Sequence, residues 1–482
     1  MGKDVQKFQL FDIDGSAVGF DFRKRKNRIH FIISFFLFAG IMLLPLDSIS
    51  DTAARTLALT ALVLYMWITL YVDLMTSSLV LAGGAILLGL LSYKEVATLF
   101  GSSQFLPMLG ICIVALGAST TKLTSRFAYF LLWKFGRKPR TIALVAVIVC
   151  AVLSSVVSNI ATAILLAATF APVIEHLGNK QLGKAIMILL PVSAMYGGAA
   201  LINGSGPNLV ALQNLELATE GTATVSYLQW ATVGWVSLLL IIPIIVVLYT
   251  RYFKVPKTID GIDVTVFKQS LNELGPITGK EIRWLLIMLT MIVFLVFGFP
   301  MGYVGVIFGT ICLLPGIGIV SGKEMLKNVP WFLLFILGFS PVLSSILTQS
   351  KLTNVLISAT SPYLNQFSIL GLILFFTFLK SILNNIIISG PAPVSIILIS
   401  SFAPVVMSLG YNPVAIFMPA LILSHPATIL GSSASYQTTY QYGYWDITET
   451  IRPGAAMMLL GPIVVSVVCY LLYPLLGISL ML

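Results

Sequence analysis

Membrane-length apolar runs, separated by short charged loops, make up most of this chain of 482 residues. Hydrophobic residues account for 58% of it and charged residues for only 10%, whereas about 25% of the residues in a soluble domain are charged. In hydrocarbon the backbone must satisfy its own hydrogen bonds, and an apolar run of this length does so as a helix. The sequence therefore predicts an all-α polytopic membrane protein with about 11 spans.

Basic residues cluster in loops and predict the side of the membrane on which each loop lies. The run 22–28 directly precedes the first apolar segment and predicts a cytoplasmic N-terminus in the cell membrane. The stretch 122–140 predicts a second cytoplasmic segment, with an amphipathic helix at the interface. Topology thereby accounts for the net charge of +10, and we expect membrane lipid rather than nucleic acid around these residues. The four cysteines have no metal-site or disulfide spacing, so no resident cofactor is expected.

A polar pair, Ser158-Asn159, interrupts the apolar run 141–173. An unpaired amide or hydroxyl in hydrocarbon costs several kcal/mol, so these groups should face protein, water or a ligand. A second polar, glycine-rich interruption follows at 197–208. Two interrupted membrane helices in succession indicate a binding site near the bilayer midplane. A hydrogen bond from Asn159 to a neighbouring helix is the structural alternative.

The second half of the chain repeats motifs of the first in the same order. Residues 348–353 echo 120–124, and 402–410 repeat the Phe-Ala-Pro and Gly spacing of 170–178. The segment 352–370 nevertheless lacks the basic residues of its counterpart, which predicts opposite sides of the membrane for equivalent segments. This pattern is typical of inverted-topology repeats.

The repeat predicts four parts: a cytoplasmic N-terminal segment 1–29, a first repeat 30–250, a cytoplasmic linker 251–283 and a second repeat 284–482. Each repeat is predicted to contain a re-entrant hairpin and a broken transmembrane helix. In the first repeat we place the hairpin at 98–120, where Ser, Gln, Pro and Gly interrupt an apolar stretch.

Side-chain oxygens near the first interruption suit a sodium ion. Ser154, Ser158 and Asn159 stand at i, i+4 and i+5, and the first two share a helix face. With backbone carbonyls freed at the break and near Gly197, they could form an oxygen cage for Na+ as a coupling ion. Hydrogen bonding between helices by small residues is the alternative.

The second half departs from this chemistry. If the alignment of 170–178 with 402–410 is extended back without gaps, 158–160 matches Gly-Pro-Ala at 390–392. By residue type, the better match for 158–160 is Asn-Asn-Ile at 384–386. Lys380 is either a fixed positive charge that replaces a bound sodium ion or a lysine that snorkels from a helix end. His425, opposite Gly197 in the repeat, either adds a titratable charge or packs as a hydrogen-bonded histidine.

Together these motifs resemble the divalent anion/sodium symporter family, which moves dicarboxylates, citrate or sulfate. The resemblance rests on Ser-Asn-Ile-Ala-Thr at 158–162, on the Gly-Gly and Gly-Ser-Gly-Pro-Asn of 197–208, and on Tyr-Gln-Thr-Thr at 436–439 with Tyr-Gly-Tyr-Trp-Asp at 442–446. Members carry a Ser-Asn-Thr motif in each half, on a broken helix facing a hairpin tip. The resemblance implies a homodimer whose transport domain moves as an elevator, and an anion held by both motifs beside sodium.

The implied anion-binding residues come from both halves and combine side-chain donors with helix N-termini. They are Ser158, Asn159, Ile160, Thr162, Ser205, Asn385, Gly390, Pro391, Ala392 and Thr438.

We therefore expect a secondary active transporter of a small anion, either coupled to Na+ or working by anion exchange. One alternative is another carrier of the ion transporter superfamily, of the arsenite or Na+/H+ antiporter type, although the interrupted runs lack the paired carboxylates of an antiporter. A membrane-embedded enzyme is a further alternative, and it would require clustered His, Asp or Glu at membrane depth.

Overall fold

The structure is a computed structural model that describes residues 25–44, 50–101, 104–259, 262–387, 390–423, 428–429 and 433–482. The predicted all-α class is confirmed, because apart from one isolated bridge between Tyr411 and Met481 the regular structure in these residues is helical. Among these residues, ten helical stretches are long and apolar enough to cross a membrane, if Tyr93–Gly101 and Phe105–Ser119 are taken together as one stretch. The chain is thus a multi-pass membrane protein.

The first half contains eleven helices in the described residues. They are α1 (Arg25–Leu43), α2 (Asp51–Thr69), α3 (Leu74–Leu87), α4 (Tyr93–Gly101), α5 (Phe105–Ser119), α6 (Leu123–Phe135), α7 (Pro139–Ser154), α8 (Asn159–Leu177), α9 (Lys180–Ala199), α10 (Gly206–Ala218) and α11 (Tyr227–Tyr252).

A short helix, α12 (Thr265–Glu273), leads into the second half, where the same order returns. The later helices are α13 (Gly279–Val296), α14 (Met301–Leu313), α15 (Gly322–Asn328), α16 (Trp331–Gln349), α17 (Leu352–Leu364), α18 (Ile369–Ile386), α19 (Pro391–Ser408), α20 (Pro413–Ile422), α21 (Ala434–Tyr440) and α22 (Ile451–Leu472).

Polar caps place the helix ends where the chain leaves the apolar runs. At the start of α11, Ser226 Oγ accepts from the Gln229 N–H at 3.1 Å and Gln229 Oε1 accepts from the Ser226 N–H at 2.9 Å. This reciprocal capping box satisfies two backbone donors that the first helical turn leaves free. Gly178, with φ +59°, ends α8 in the left-handed conformation that favours glycine and allows a tight turn into α9.

Contacts between the halves are reciprocal. Helix α3 packs on α16 and α5 on α14, whereas α10 packs on α19 and α21 on α8. Within each half, α7 packs on α9 as α18 packs on α20. Reciprocal contacts of this kind relate two units by an approximate two-fold axis, which is the arrangement of inverted-topology repeats.

Helices α7 and α8 form a hairpin whose tip is the stretch 155–158, directly before Asn159. Arm α7 starts just after α6, and arm α8 returns to α6, where Ser125 Oγ lies 3.1 Å from Thr169 Oγ1. Both arms pack on α9, and Ser154 Oγ at the end of α7 lies 2.7 Å from the carbonyl oxygen of Ala194. The tip therefore lies deep among other helices rather than at the end of a span.

Helices α18 and α19 form the equivalent hairpin of the second half. Lys380 on α18 contacts Ser395 Oγ on α19, and the rings of Phe376 and Phe402 lie 5.4 Å apart. Each pair joins residues at similar distances on either side of the break, which only antiparallel arms allow. Phe376 also stacks at 4.9 Å on Phe417 of α20, which anchors this hairpin to its own half.

The first half contains the predicted hairpin and a broken helix, but the hairpin lies at the interruption around Ser158 and not at 98–120. The second interruption, predicted at 197–208, is the broken helix. Of 98–120 the structure describes 98–101 and 104–120, which contain the end of α4 and the single helix α5. Arms α7 and α8 have 16 and 19 residues, about 50 Å of helix at about 1.5 Å per residue. Since one span needs only about 30 Å, the chain turns back at the polar pair.

The broken helices are α9–α10 and α20–α21. Helix α9 ends at Ala199, a 3₁₀ turn covers Ile202–Gly204, and α10 starts at Gly206. In the second half α20 ends at Ile422 and α21 begins at Ala434. Helix α10 packs on the second hairpin and α21 on the first, so each broken helix joins one hairpin to the other.

Glycines allow α5 and α14 to cross at backbone contact. A Cβ built on Gly305 would lie 2.6 Å from the Pro107 carbonyl oxygen, and one on Gly110 would lie 1.9 Å from the Gly305 carbonyl oxygen. No side chain fits between these backbones, so the crossing fixes the two halves against each other.

We predict that Gly305→Ala lowers the thermal unfolding midpoint of the detergent-solubilised protein. Overlap with the Pro107 backbone should cost about 1–3 kcal/mol, against about 1 kcal/mol gained from helix propensity. Gly302→Ala is the matched control one turn away, because its Cβ would meet only Pro107 Cγ, at 3.8 Å. Differential scanning fluorimetry should place the control at or above wild type, and the reverse order would contradict this crossing.

We also predict that cysteines at Ser125 and Thr169 form a disulfide in a variant that lacks the native cysteines. The two hydroxyl oxygens are 3.1 Å apart only because α8 returns to α6. Cysteines at Ser125 and Ile160, at the opposite end of α8, should stay reduced under the same oxidant. Failure of the first pair to cross-link would mean that α8 does not return to α6.

Candidate functional site

Polar groups converge at the tip of the first hairpin. Ser154 Oγ lies 2.8 Å from Asn159 Oδ1 and 2.7 Å from the carbonyl oxygen of Ala194. Ser154 is fully buried, and Asn159, the first residue of α8, is 9% exposed. Two side-chain oxygens and a backbone carbonyl thus meet at membrane depth, where α7 stops and α8 has not yet begun its own hydrogen bonds.

Glycines bring the first helix break against this tip. A Cβ on Gly198 would lie 2.0 Å from Asn159 Oδ1, and one on Gly204 would lie 2.6 Å from the carbonyl oxygens of both Gly198 and Ser155. Side chains at these positions would push the break off the tip. The glycine that meets Asn159 is therefore Gly198, whereas the predicted Gly197 lies against the carbonyl of Ala151.

Buried side chains satisfy the backbone that the first break exposes. Asn208 Nδ2 donates to the carbonyl oxygens of Gly198 and Leu201, both at 2.9 Å. The Trp230 indole N–H donates to Ala199 O at 2.9 Å, from α11. The loop can remain at membrane depth because its carbonyls have these donors.

The remaining predicted anion-binding residues of the first half lie around the tip with different exposures. Ser158 is exposed and makes no capping bond, and Ile160 is half-buried. Thr162 is buried with no hydrogen-bond partner for its hydroxyl oxygen in the described part of the chain. Ser205, half-buried, precedes α10 in extended conformation.

Thr438, the last predicted anion-binding residue, lies on α21, which packs on α8 and α9. Its hydroxyl donates to the Ser435 carbonyl oxygen at 2.7 Å within its own helix. At the start of this helix, Ser433 Oγ approaches Met195 Sδ of α9 at 3.7 Å, so the two helix breaks lie next to each other.

The tip of the second hairpin has a different donor set. Gly390 has φ +90°, a conformation open to glycine, and Pro391 begins α19 as Asn159 begins α8. The break therefore falls where the gap-free alternative places it. Ala392 is buried and offers only its backbone.

Two asparagines at the end of α18 hold the second helix break. Asn384 Nδ2 donates to Leu423 O at 3.3 Å, and Asn385 Oδ1 accepts from the Ile429 N–H at 2.9 Å. In the first half the amide that bonds to the break belongs to the broken helix itself, at Asn208. In the second half the amides belong to the hairpin, at Asn384 and Asn385. His425 lies outside the described residues.

Lys380 is fully buried between the arms of the second hairpin. Its ammonium contacts Ser395 Oγ, which lies 2.8 Å from the carbonyl oxygen of Pro391, the first residue of α19. The side chain does not snorkel to an interface. The ion pairs found in the described residues are Arg126–Glu281 and Lys184–Glu449, and neither involves Lys380.

Some groups at the two tips were not predicted from the sequence. The Ala194 carbonyl has no sequence signature, and Ser395 is one of many serines in apolar runs. Asn208 was visible as the end of the glycine-rich motif, but only the structure gives its role as a donor to the break.

We predict that Asn208→Leu destabilises the protein, because two buried carbonyls lose their donors. The expected cost is about 2 kcal/mol or more, read as a fall in the thermal unfolding midpoint. Asn365→Leu, at an exposed helix end, is the control and should stay close to wild type. An unchanged midpoint for Asn208→Leu would mean that these bonds do not hold the break.

The comparison with a solved structure agrees with this architecture. The crystal structure of the Alcanivorax borkumensis YdaH transporter, described as having an unusual topology, matches with a TM-score of 0.53 over 87% of this chain and 98% of that one, at 15% sequence identity. At this identity the match supports the fold alone.

Sequence relatives span nearly the full chain. The sodium-dependent dicarboxylate transporter SdcS of Staphylococcus saprophyticus is 23% identical over 90% of this chain and 89% of its own length. An uncharacterized transporter of Haemophilus influenzae is 23% identical over 94% of this chain and 98% of its own length.

A profile of the citrate transporter family matches residues 61–424, well over half of the chain. These matches confirm the resemblance to divalent anion/sodium symporters drawn from the motifs at 158–162 and 197–208. The chain belongs to the citrate transporter family.

Proposed function

We propose that this protein is a secondary active transporter of small dianions, of the dicarboxylate or sulfate class. The observation that supports it most is the pair of hairpin tips, each held against a helix break at membrane depth. Family membership and the dicarboxylate transporter among its relatives point to the same class. The paired carboxylates that would favour an antiporter-type carrier are not found in the hairpins and broken helices within the described residues.

The anion would bind at the N-termini of α8 and α19, which are the second arms of the two hairpins in chain order. The first-turn N–H groups of a helix have no intrahelical acceptor, and the helix dipole favours negative charge there. Asn159 and Ser158 stand at one such end, and Gly390 and Pro391 at the other. Carboxylate or sulfate oxygens match these donors.

A sodium ion would bind at the first tip. Ser154 Oγ already lies within hydrogen-bonding distance of both Asn159 Oδ1 and the carbonyl oxygen of Ala194. The carbonyl oxygens of Ser155 and Gly198 meet nearby, at Gly204. Hard cations take oxygen ligands of this kind, and backbone freed at a helix break commonly supplies them.

At the second tip the positive charge would come from Lys380 instead of a second sodium ion. Ile386, the counterpart of Ser154, offers no oxygen, whereas the Lys380 ammonium reaches Ser395 one turn inside α19. One Na+ and one ammonium together balance a dianion. This asymmetry predicts one sodium site per protomer.

We further propose alternating access of the elevator type in a homodimer. The unit formed by α7–α10 and α18–α21 would move against α2–α5 and α13–α16, with α6 and α17 as the connections. In the cell membrane the N-terminal segment 1–29 and the linker 251–283 would face the cytoplasm, with repeats 30–250 and 284–482 surrounded by lipid.

Uptake of labelled succinate and sulfate into proteoliposomes tests the proposal. We expect an inward Na+ gradient to stimulate uptake of at least one anion with a Hill coefficient for Na+ near 1. Ser154→Ala should raise the half-saturating Na+ concentration about tenfold, as loss of roughly 1.4 kcal/mol would. Ser193→Ala is the matched control, a fully buried serine whose hydroxyl donates to Leu189 O of its own helix at 2.6 Å.

The outcomes separate coupling from transport. Uptake that requires internal anion and does not depend on Na+ would support anion exchange and would contradict the proposed sodium site. A Hill coefficient near 2 would contradict the single site. No uptake of either anion under any gradient would overturn the proposed substrate class.

A further inference from the structure

Lys380 lies in the most enclosed position that a charged side chain occupies in the described residues. It stands on α18 between the two arms of the second hairpin, with the Phe376–Phe402 ring contact one turn further from the tip. Its relative exposure is 0%. Bulk water therefore does not reach the Lys380 side chain.

The surroundings of Lys380 contain no negative charge in the described chain. Helix α18 packs on α19, α20 and α22. Lys380 is the only ionisable residue of α18, and α19 and α20 contain none. On α22 the ionisable residues are Arg452, Cys469 and Tyr470. His425 belongs to the linker after α20, outside the described residues, and has to be tested directly.

The hydrogen bonding of Lys380 is also incomplete for a cation. An ammonium has three N–H donors, and in the described part of the chain it has one partner, Ser395 Oγ. That hydroxyl in turn donates to Pro391 O at 2.8 Å. A neutral amine suits this pocket, because a charge buried without a counter-charge costs several kcal/mol.

Among the described residues, the other charged side chain that is buried to this degree is paired. Glu281, 2% exposed, accepts from Arg126 Nε at 3.1 Å and from the Lys122 N–H at 3.1 Å. Lys380 is the exception, and it is the one that stands beside the proposed anion site, linked through Ser395 to the first residue of α19.

We infer that Lys380 is a proton carrier whose amine binds one proton from water when the anion binds, so that anion and proton move together. This inference rests on the proposed function. The anion at the N-terminus of α19 supplies the counter-charge that the buried ammonium lacks, and the proton in turn favours the anion, since such coupling is reciprocal. The proton adds to the amine nitrogen and leaves again when the anion dissociates.

Isothermal titration calorimetry with sulfate tests this inference on the purified full chain in Na+. Sulfate has no titrating proton near neutral pH, so any buffer-dependent heat comes from the protein. Titrations in buffers of different ionisation enthalpy give the number of protons taken up per anion. At pH 8, wild type should take up between a fraction of a proton and one proton per bound sulfate. Its affinity for sulfate should fall by up to tenfold for each pH unit above pH 8.

Two substitutions of Lys380 and two controls assign the proton. Lys380→Arg keeps the charge permanently, so it should bind sulfate without proton uptake and without pH dependence. Lys380→Met removes the charge that faces the anion, so it should bind sulfate more weakly and also without proton uptake. Lys351→Met, at an exposed lysine, and His425→Gln should behave as wild type. Circular dichroism of each variant checks that it is folded.

Each outcome decides the inference. Sulfate binding by wild type without proton uptake would overturn it and leave the proposed transport intact. Proton uptake that survives Lys380→Met, or that disappears in His425→Gln, would assign the proton elsewhere and overturn it as well. Failure of wild type to bind sulfate, and also succinate in the same assay, would overturn the proposed function and the inference with it.

Discussion

Helix breaks at membrane depth are the constraint on which this structure depends, because hydrocarbon offers no hydrogen bonds to the backbone they expose. Each break is therefore closed by amide side chains. Asn208 donates to the first break, and Asn384 and Asn385 bond to the second. Gly198 and Gly204 allow the contact by leaving room for a neighbouring oxygen. The crossed packing of α10 on α19 and α21 on α8 then places the two breaks side by side.

The two halves share a fold but differ in chemistry. The first tip presents the oxygens of Ser154 and Asn159, whereas the second presents backbone groups and the ammonium of Lys380. Both halves keep hairpins and breaks of the same kind, although the amides that close the breaks come from α10 in the first half and from α18 in the second. The charge at each tip is free to diverge, since it affects ligands more than packing. In our proposal, this divergence gives one sodium site and one proton-binding amine around a single dianion.

Much of the fold could be predicted from the sequence. Membrane helices follow from apolar runs, and the repeat spacing placed the counterpart of the first tip at 390–392, where α19 in fact begins. The hairpin was misplaced because a polar pair in an apolar run looks the same in a broken span and at a hairpin tip, and only the length of 141–173 distinguishes them. The Ala194 carbonyl and the burial of Lys380 depend on which helices meet, which spacing along one chain does not give. The anion and sodium assignments stay predictions.

A cryo-EM reconstruction at saturating Na+ and sulfate would show directly whether the two tips differ in charge. We expect density for one cation, at Ser154, Asn159 and Gly198, density for the anion between the N-termini of α8 and α19, and no second cation beside Lys380. Cation density at both tips, or an anion away from both helix N-termini, would contradict this expectation.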